Sequence, residues 1–236
     1  MCDEIEYPLT FPAIIHPREG YLPHPYLNVS ALVVVAALSV ACASKPPETA
    51  TPPVALRPLE RLAGSEIVVF PVQYLSSTDS LGWAQQIPNR ADFLASLDDQ
   101  IEAALTARGL GQAWTFGREI ERASKVNSII MRDARSLSAE SLRGRVLEEA
   151  TVRDPLASQI RGLVGLKGQR YALLPVELRL QNRAGMGVAT LRVVMIDSRM
   201  ALVKWVGEVS SDPMKTISPA LIASVATHFA DLVVAP

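Results

Sequence analysis

The chain is poor in the side chains on which most metal sites and catalytic groups depend. Among its 236 residues there are two cysteines and three histidines. Cys2 and Cys42 both precede the part of the sequence that has the pattern of a folded domain, and of the histidines only His228 follows Cys42. These positions exclude a disulfide framework and a cysteine-based zinc site from that domain.

Charge and short motifs narrow the function further. The formal net charge is −1, and the small acidic excess lies in residues 1–41, so the remainder is nearly neutral. A neutral domain gives no electrostatic reason to bind nucleic acid. The sequence also has no G-x-S-x-G elbow, Walker loop or dinucleotide-binding fingerprint. We therefore predict a protein that is not an enzyme and that has no cofactor, metal or nucleic-acid partner.

Residues 29–43, VSALVVVAALSVACA, form an apolar run without charge. The run is shorter than the roughly 20 residues that a helix needs to span a bilayer. Proline-rich stretches on both sides argue against an internal core helix. A run of this length that ends in small residues is typical of the hydrophobic region of a signal peptide.

The last residues of this run, LSVAC at positions 38–42, resemble the bacterial lipobox. In lipoproteins with that motif the signal peptide is cut before the cysteine, whose thiol and new amino group then carry acyl chains. The resemblance implies that Cys42 is the lipidation site and that membrane lipid is a partner. In the lipobox a leucine usually stands three residues before the cysteine, whereas Leu38 stands four residues before Cys42. Residues 1–27 are also longer and more acidic than the start of a signal peptide usually is. Either translation starts downstream of residue 1, or residues 1–41 stay uncleaved as a short anchor.

The segment after the cysteine has the composition of a tether, because residues 44–58 contain five prolines. Such a segment extends by about 3.1 Å per residue in polyproline conformation. Ala43 replaces the aspartate that retains enteric lipoproteins in the inner membrane, so the lipobox resemblance implies the outer membrane, facing the periplasm. We divide the chain into a signal peptide or uncleaved anchor (1–41), a lipid-anchored Pro-rich tether (42–58) and a single α/β domain (59–236).

The first half of the domain alternates between predicted strands and helices. Glu66–Tyr74 predicts a buried strand, Ala91–Arg108 an amphipathic helix that starts near Asn89, and Ala113–Phe116 a short strand. Residues 118–166 then predict helix, interrupted near Asn127 and at Asp154-Pro155.

The second half predicts three antiparallel strands and a helix. Period-two alternation in residues 170–181, 185–197 and 202–210 predicts a meander. A last helix begins with Ser218 as its cap and Pro219 at its first position. The predicted fold class is α/β (α+β), a two-layer sandwich in which a mixed sheet with this C-terminal antiparallel meander packs against helices.

Three stretches of the domain resemble a known family. They are IVVFPV at residues 67–72, RYALLPVEL at 170–178 and VVMIDSRMALVKWVGEV at 193–209. They are similar to the periplasmic α/β domain shared by curli-secretion lipoproteins, penicillin-binding-protein activator lipoproteins and the N-terminal domain of the Tol translocation protein. The resemblance implies binding or assembly, not turnover. It does not extend to the curli pore, because residues 118–166 lack the long alternating hairpins that a pore needs.

Few side chains are candidates for function. Trp83 lies in a polar loop, where an exposed aromatic ring could anchor a protein partner; packing within the domain is the alternative. His228 lies at the edge of the last helix's apolar stripe, with no activating neighbour in the sequence. Asp98, Asp99 and Glu102 could hold a cation, but their positions on the polar side of a helix favour a solvated surface.

These patterns predict a membrane-anchored envelope lipoprotein, without catalytic activity, that binds or scaffolds another envelope protein. The alternative is an uncleaved single-pass accessory subunit that stabilises a large complex with an integral membrane protein. The two hypotheses differ in whether residues 1–41 survive in the mature protein.

Overall fold

The computed structural model describes residues 57–76 and 79–235. The strands are Ile67–Val69 (β1), Trp114–Thr115 (β2), Tyr171–Arg183 (β3), Met186–Asp197 (β4) and Leu202–Ser210 (β5). The helices are Trp83–Gln86 (α1), Arg90–Ala107 (α2), Gly117–Val126 (α3), Leu156–Gly165 (α4) and Pro219–Asp231 (α5). No helix within the described ranges is long and apolar enough to cross a membrane. The predictions for residues 1–56, including the lipidation of Cys42, lie outside the described residues.

One mixed sheet contains all five strands, in the order β2-β1-β3-β4-β5. β1 is parallel to both of its neighbours, whereas β3, β4 and β5 form the predicted antiparallel meander. The predicted first strand is shortened because Pro71 has no N–H to donate. The chain nevertheless stays beside β3, since Phe70 N donates to Leu173 O over 2.9 Å and Gln73 N donates to Pro175 O over 3.0 Å.

Neighbouring side chains of the sheet enter two separate apolar clusters. Ile67 and Val193 belong to the cluster under α2 and α5, whereas Val68 and Val194 belong to the cluster that contains the buried side chains of α4. A bulge in β3 between Pro175 and Glu177 shifts the register with β4. The predicted fold class, a mixed sheet packed against helices, is confirmed.

The prediction of helix through residues 118–166 is wrong between α3 and α4. Apart from a 3-10 turn at Glu140–Leu142, residues 127–155 form no helix. Side chains from other elements bind the backbone instead: Leu137 N donates to Gln73 Oε1 and Ser138 N donates to Gln159 Oε1, both over 2.9 Å. These partners are distant in sequence, so the local helical composition of the segment is overridden by tertiary contacts.

Candidate interaction surface

Helices α2 and α5 lie side by side in parallel, so that their first turns border the same cavity. Near their last turns, the Arg108 guanidinium forms an ion pair with Asp231 over 2.7 Å and donates to Val234 O over 2.9 Å. At the other end, side chains from residues 86–96 and 217–222 line an open cavity of about 410 Å³. We call this cavity the α2–α5 groove.

The lining of the α2–α5 groove is mostly apolar. Ile87 and Ile222 are buried at its floor, and Phe93 and Ile217 are half-buried beside them. Asp92 is the one titratable side chain among the described residues that line it. A cavity of this size lies at the small end of the range for binding pockets. It can accept apolar side chains, but a single carboxylate provides no acid–base pair for catalysis.

The α2 side of the groove is fixed by a helix cap. Asn89 Oδ1 accepts hydrogen bonds from the backbone N–H groups of Ala91 (2.9 Å) and Asp92 (3.3 Å). Asn89 Nδ2 in turn donates to the Asp92 carboxylate over 2.6 Å. The predicted helix start at Asn89 is therefore confirmed. Because Asp92 already accepts from Asn89, part of its hydrogen-bonding capacity is used within the chain.

The loop before α2 is held by Asp79 and Trp83. The Asp79 carboxylate accepts from Leu81 N over 2.8 Å and from Ala84 N over 2.6 Å, which closes the turn into α1. Trp83 is 5% exposed, and its ring lies directly over Gly187 of β4. Its position favours the packing alternative over an exposed anchor. A partner contact through Trp83 stays a prediction.

Gly187 also fixes the α5 side of the groove. Gly187 N donates to Met214 O over 2.7 Å, and Met214 N donates to Gly187 O over 2.8 Å. This pair leads the chain from β5 to the start of α5, where Pro219 occupies the first turn and the Ser218 side chain makes no capping hydrogen bond to the helix. One strand residue therefore positions both walls of the groove.

One of the buried carboxylates, Asp98, lies away from the groove. Its carboxylate accepts from Val72 N over 2.8 Å and from the Arg135 guanidinium over 2.7 Å, and Arg135 also forms an ion pair with Glu121. Burial raises the pKa of Asp98 to about 7, although the Val72 N–H and Arg135 act to lower it. The expectation of a solvated Asp98 is wrong, because this side of α2 packs against the chain around Val72 and Arg135.

The other candidate residues have structural contacts. Asp99 forms an ion pair with Arg118. His228 Nδ1 lies 2.7 Å from Ser210 O, and its Nε2 lies 3.8 Å from the Asp212 carboxylate. Within residues 57–76 and 79–235, no three His, Cys, Asp or Glu side chains are grouped closely enough to hold a metal ion.

The α2–α5 groove was not predicted from the sequence. Pro88-Asn89 and Ser218-Pro219 both carry the residues of a helix start, and the sequence predicts each of these starts. What the sequence lacks is a signal that the two starts meet. Their proximity results from the parallel packing of two helices that are far apart along the chain.

No protein-family model and no curated protein matches the chain. Among solved structures, it is similar to the PelC dodecamer from Paraburkholderia phytofirmans, at 10% identity over 74% of this chain and 91% of that one (TM-score 0.39). It is also similar to LpoB from E. coli, at 14% identity over 90% and 96% of the two chains (TM-score 0.36). A third is lipoprotein GNA1162 from Neisseria meningitidis, at 16% identity over 61% and 77% (TM-score 0.31). At these values no partner, assembly or activity is transferred to this chain, and membership of the curli-secretion or Tol families stays a hypothesis.

Proposed function

We propose that this chain is an envelope lipoprotein, anchored through Cys42, whose domain binds a short apolar segment of another envelope protein in the α2–α5 groove. The observation that carries the proposal is the groove itself, an open apolar cavity of about 410 Å³ between two helix starts. The lipobox-like LSVAC at residues 38–42 and the Pro-rich residues 44–58 support the anchor. The proposed site of anchoring is the outer membrane, with the domain facing the periplasm.

Binding fits the groove better than catalysis does. Its lining is mostly apolar, with Ile87, Phe93 and Ile222 among the side chains that line it, which favours the burial of apolar side chains from a partner. Asp98, the described side chain whose pKa is raised to about 7, is not among the lining residues and is bound by groups of the chain itself. Because Val72 N and Arg135 occupy its carboxylate, Asp98 is not available as an acid or base to a substrate in the groove.

The occupant that fits is an extended segment with apolar side chains. Helix starts carry N–H groups that lack partners within the helix, together with a partial positive charge. Pro219 has no N–H and Leu221 N already donates to Ser218 O over 3.0 Å, so the first turn of α5 offers at most the Ala220 N–H to a backbone carbonyl of a bound segment. Apolar side chains of that segment would contact Phe93 and Ile217.

A photo-crosslinking amino acid at position 93 tests this proposal in the native membrane. We expect a discrete crosslinked protein, identified by mass spectrometry, that is absent when the same probe replaces Met200, an exposed residue of the β4–β5 turn. A Ser96→Arg substitution should remove the crosslink because it fills the groove. Gln100→Arg, on the exposed surface of the same helix, should leave it unchanged.

Two results would contradict the groove as the binding site. One is equal crosslinking from positions 93 and 200, which would indicate contact without a defined surface. The other is a crosslink at position 93 that survives Ser96→Arg. Either result would leave the lipid anchor untested, since the anchor depends on Cys42 alone.

A further inference from the structure

The end of α3 exposes three aliphatic side chains next to one another. Val126 is 81% exposed, Ile129 is 99% exposed and Ile130 is 76% exposed. We call residues 126–130 the α3 tip. Single exposed aliphatic residues are common on protein surfaces, but a cluster of nearly fully exposed ones marks an interaction site.

The α3 tip is held in place by hydrogen bonds to α3 and by packing against α4. Asn127 bonds to Ala123 O through its backbone N–H (3.2 Å) and through Nδ2 (2.8 Å). The N–H groups of Ile130 and Met131 both donate to Asn127 O, over 3.0 Å and 2.9 Å. The Met131 sulfur lies beside Gly162 of α4. The turn is therefore hydrogen-bonded to α3 and packed against α4, while its aliphatic side chains point into solvent.

Basic side chains surround the α3 tip. Arg122, Lys125 and Arg132 are exposed within four residues of it, against one exposed carboxylate, Asp133. Glu121 is also close, and its carboxylate forms ion pairs with Arg135 and, over 4.0 Å, with Lys125 of the rim. The tip thus has protruding aliphatic side chains and a net positive rim, whereas the α2–α5 groove is concave and contains one carboxylate.

We propose that the α3 tip inserts into an anionic lipid surface. Aliphatic side chains that protrude this far can enter a deformable apolar medium, which the acyl region of a bilayer provides without a matching cavity. The basic rim is complementary to anionic headgroups, and each cation near such a surface contributes roughly a five-fold gain in partitioning. This contact is separate from Cys42. In a lipid-anchored chain, it would set the orientation of the domain on the membrane.

The experiment measures the depth of an environment-sensitive fluorophore on a single cysteine. The protein is the full chain with Cys2 and Cys42 changed to serine, labelled at Ile129→Cys and reconstituted with vesicles of phosphatidylethanolamine and phosphatidylglycerol. We expect a blue shift and quenching by brominated acyl chains. The matched control is Leu147→Cys, a leucine that is 64% exposed elsewhere on the domain, whose label should stay in water.

Charge reversal tests the basic rim. Lys125→Glu with Arg132→Glu should lower the partitioning of the 129 label into anionic vesicles by an order of magnitude or more. In phosphatidylcholine vesicles the same pair of substitutions should change little. Both residues are exposed, so circular dichroism of the variant should match the parent.

Three outcomes would overturn the inference. The 129 label could stay in water while the chain co-floats with the vesicles. Because this chain has no Cys42 to acylate, another part of it would then be the membrane contact, and the tip would be excluded. The 129 and 147 labels could be quenched alike, which would indicate unspecific adsorption. The 129 label could be protected only in native membranes and not in lipid vesicles, which would assign the tip to a protein partner.

Discussion

Gly187 is the residue at which one added methyl group would disturb the α2–α5 groove most. A Cβ atom at this position would lie 1.9 Å from Cη2 of Trp83. In Gly187→Ala the ring must leave its site and take the α1 turn with it, as in other overpacked cores. We expect the free energy of unfolding to fall by about 1–3 kcal/mol, measured by denaturant unfolding with tryptophan fluorescence.

Gly144 provides the matched control for that substitution. A Cβ atom at Gly144 would meet no other atom within 4 Å. Gly144→Ala should therefore change the free energy of unfolding by no more than about 0.5 kcal/mol. Equal losses of unfolding free energy in the two variants would show that the packing of the Trp83 ring does not require a residue without a Cβ atom at position 187.

The raised pKa of Asp98 predicts that the stability of the domain depends on pH. Burial raises its pKa from 3.8 to about 7, so between these values the folded state binds more protons than the unfolded chain. The free energy of unfolding therefore decreases as pH rises from about 4 to about 7, by at most about 1.4 kcal/mol per pH unit from this group. Asp98→Asn removes the titration. The stability of the wild type relative to the variant should fall across this range in denaturant unfolding at several pH values.

The raised pKa of Asp98 would be refuted if the stability of the wild type relative to Asp98→Asn did not fall as pH rises from about 4 to about 7. If Arg135 dominated over burial, the pKa of Asp98 would lie below 3.8, and the relative stability of the wild type would fall only under more acidic conditions. A flat difference between pH 4 and 7 would indicate the same.

At the scale of elements, Arg192 ties the irregular segment between α3 and α4 to the sheet. Its guanidinium donates to Leu142 O over 3.0 Å and to Gly144 O over 2.6 Å, and it also reaches the Glu208 carboxylate over 3.2 Å. In Arg192→Met two backbone carbonyls lose their charged donor. We expect a loss of about 1–3 kcal/mol and faster hydrogen exchange in residues 138–150, measured by mass spectrometry.

Arg183 is the control for this prediction, because it lies exposed near the end of the β3–β4 hairpin. Arg183→Met should leave exchange in residues 138–150 as in the wild type. Unchanged exchange in Arg192→Met would mean that the buried side chains of the segment, such as Leu137 and Leu142, hold it without the arginine.

The elements that could be predicted from the sequence are those with local signals. The meander followed from period-two alternation in three successive strands, and α2 and α5 followed from apolar stripes behind Asn89 and Ser218. Residues 127–155 carry charged and aliphatic residues typical of a helix. Their backbone partners, Gln73, Gln159 and Arg192, are supplied by other elements, and no local pattern contains that information.

The candidate sites were harder to predict than the fold. The groove requires two helix starts to meet, and the α3 tip requires Val126, Ile129 and Ile130 to be left uncovered when α3 packs. Periodicity assigns an aliphatic side chain to one face of a helix, but it does not say whether another element covers that face. Asp98 shows the same limit in reverse, because a position on the polar side of a helix became buried.

At the scale of the whole molecule, membrane attachment separates the two functional hypotheses. If the lipobox-like residues 38–42 are processed, the protein from its native membranes should start at Cys42 and carry added acyl mass. Cys42→Ser should abolish both the cleavage and the acylation, because no thiol is left to modify, whereas Cys2→Ser should change neither. Intact-mass measurement with N-terminal peptide mapping gives the answer directly. If wild type and Cys42→Ser alike retain residues 1–41 without acyl mass, the chain is an uncleaved subunit. Its partner should then be sought in the membrane complex that co-purifies with it.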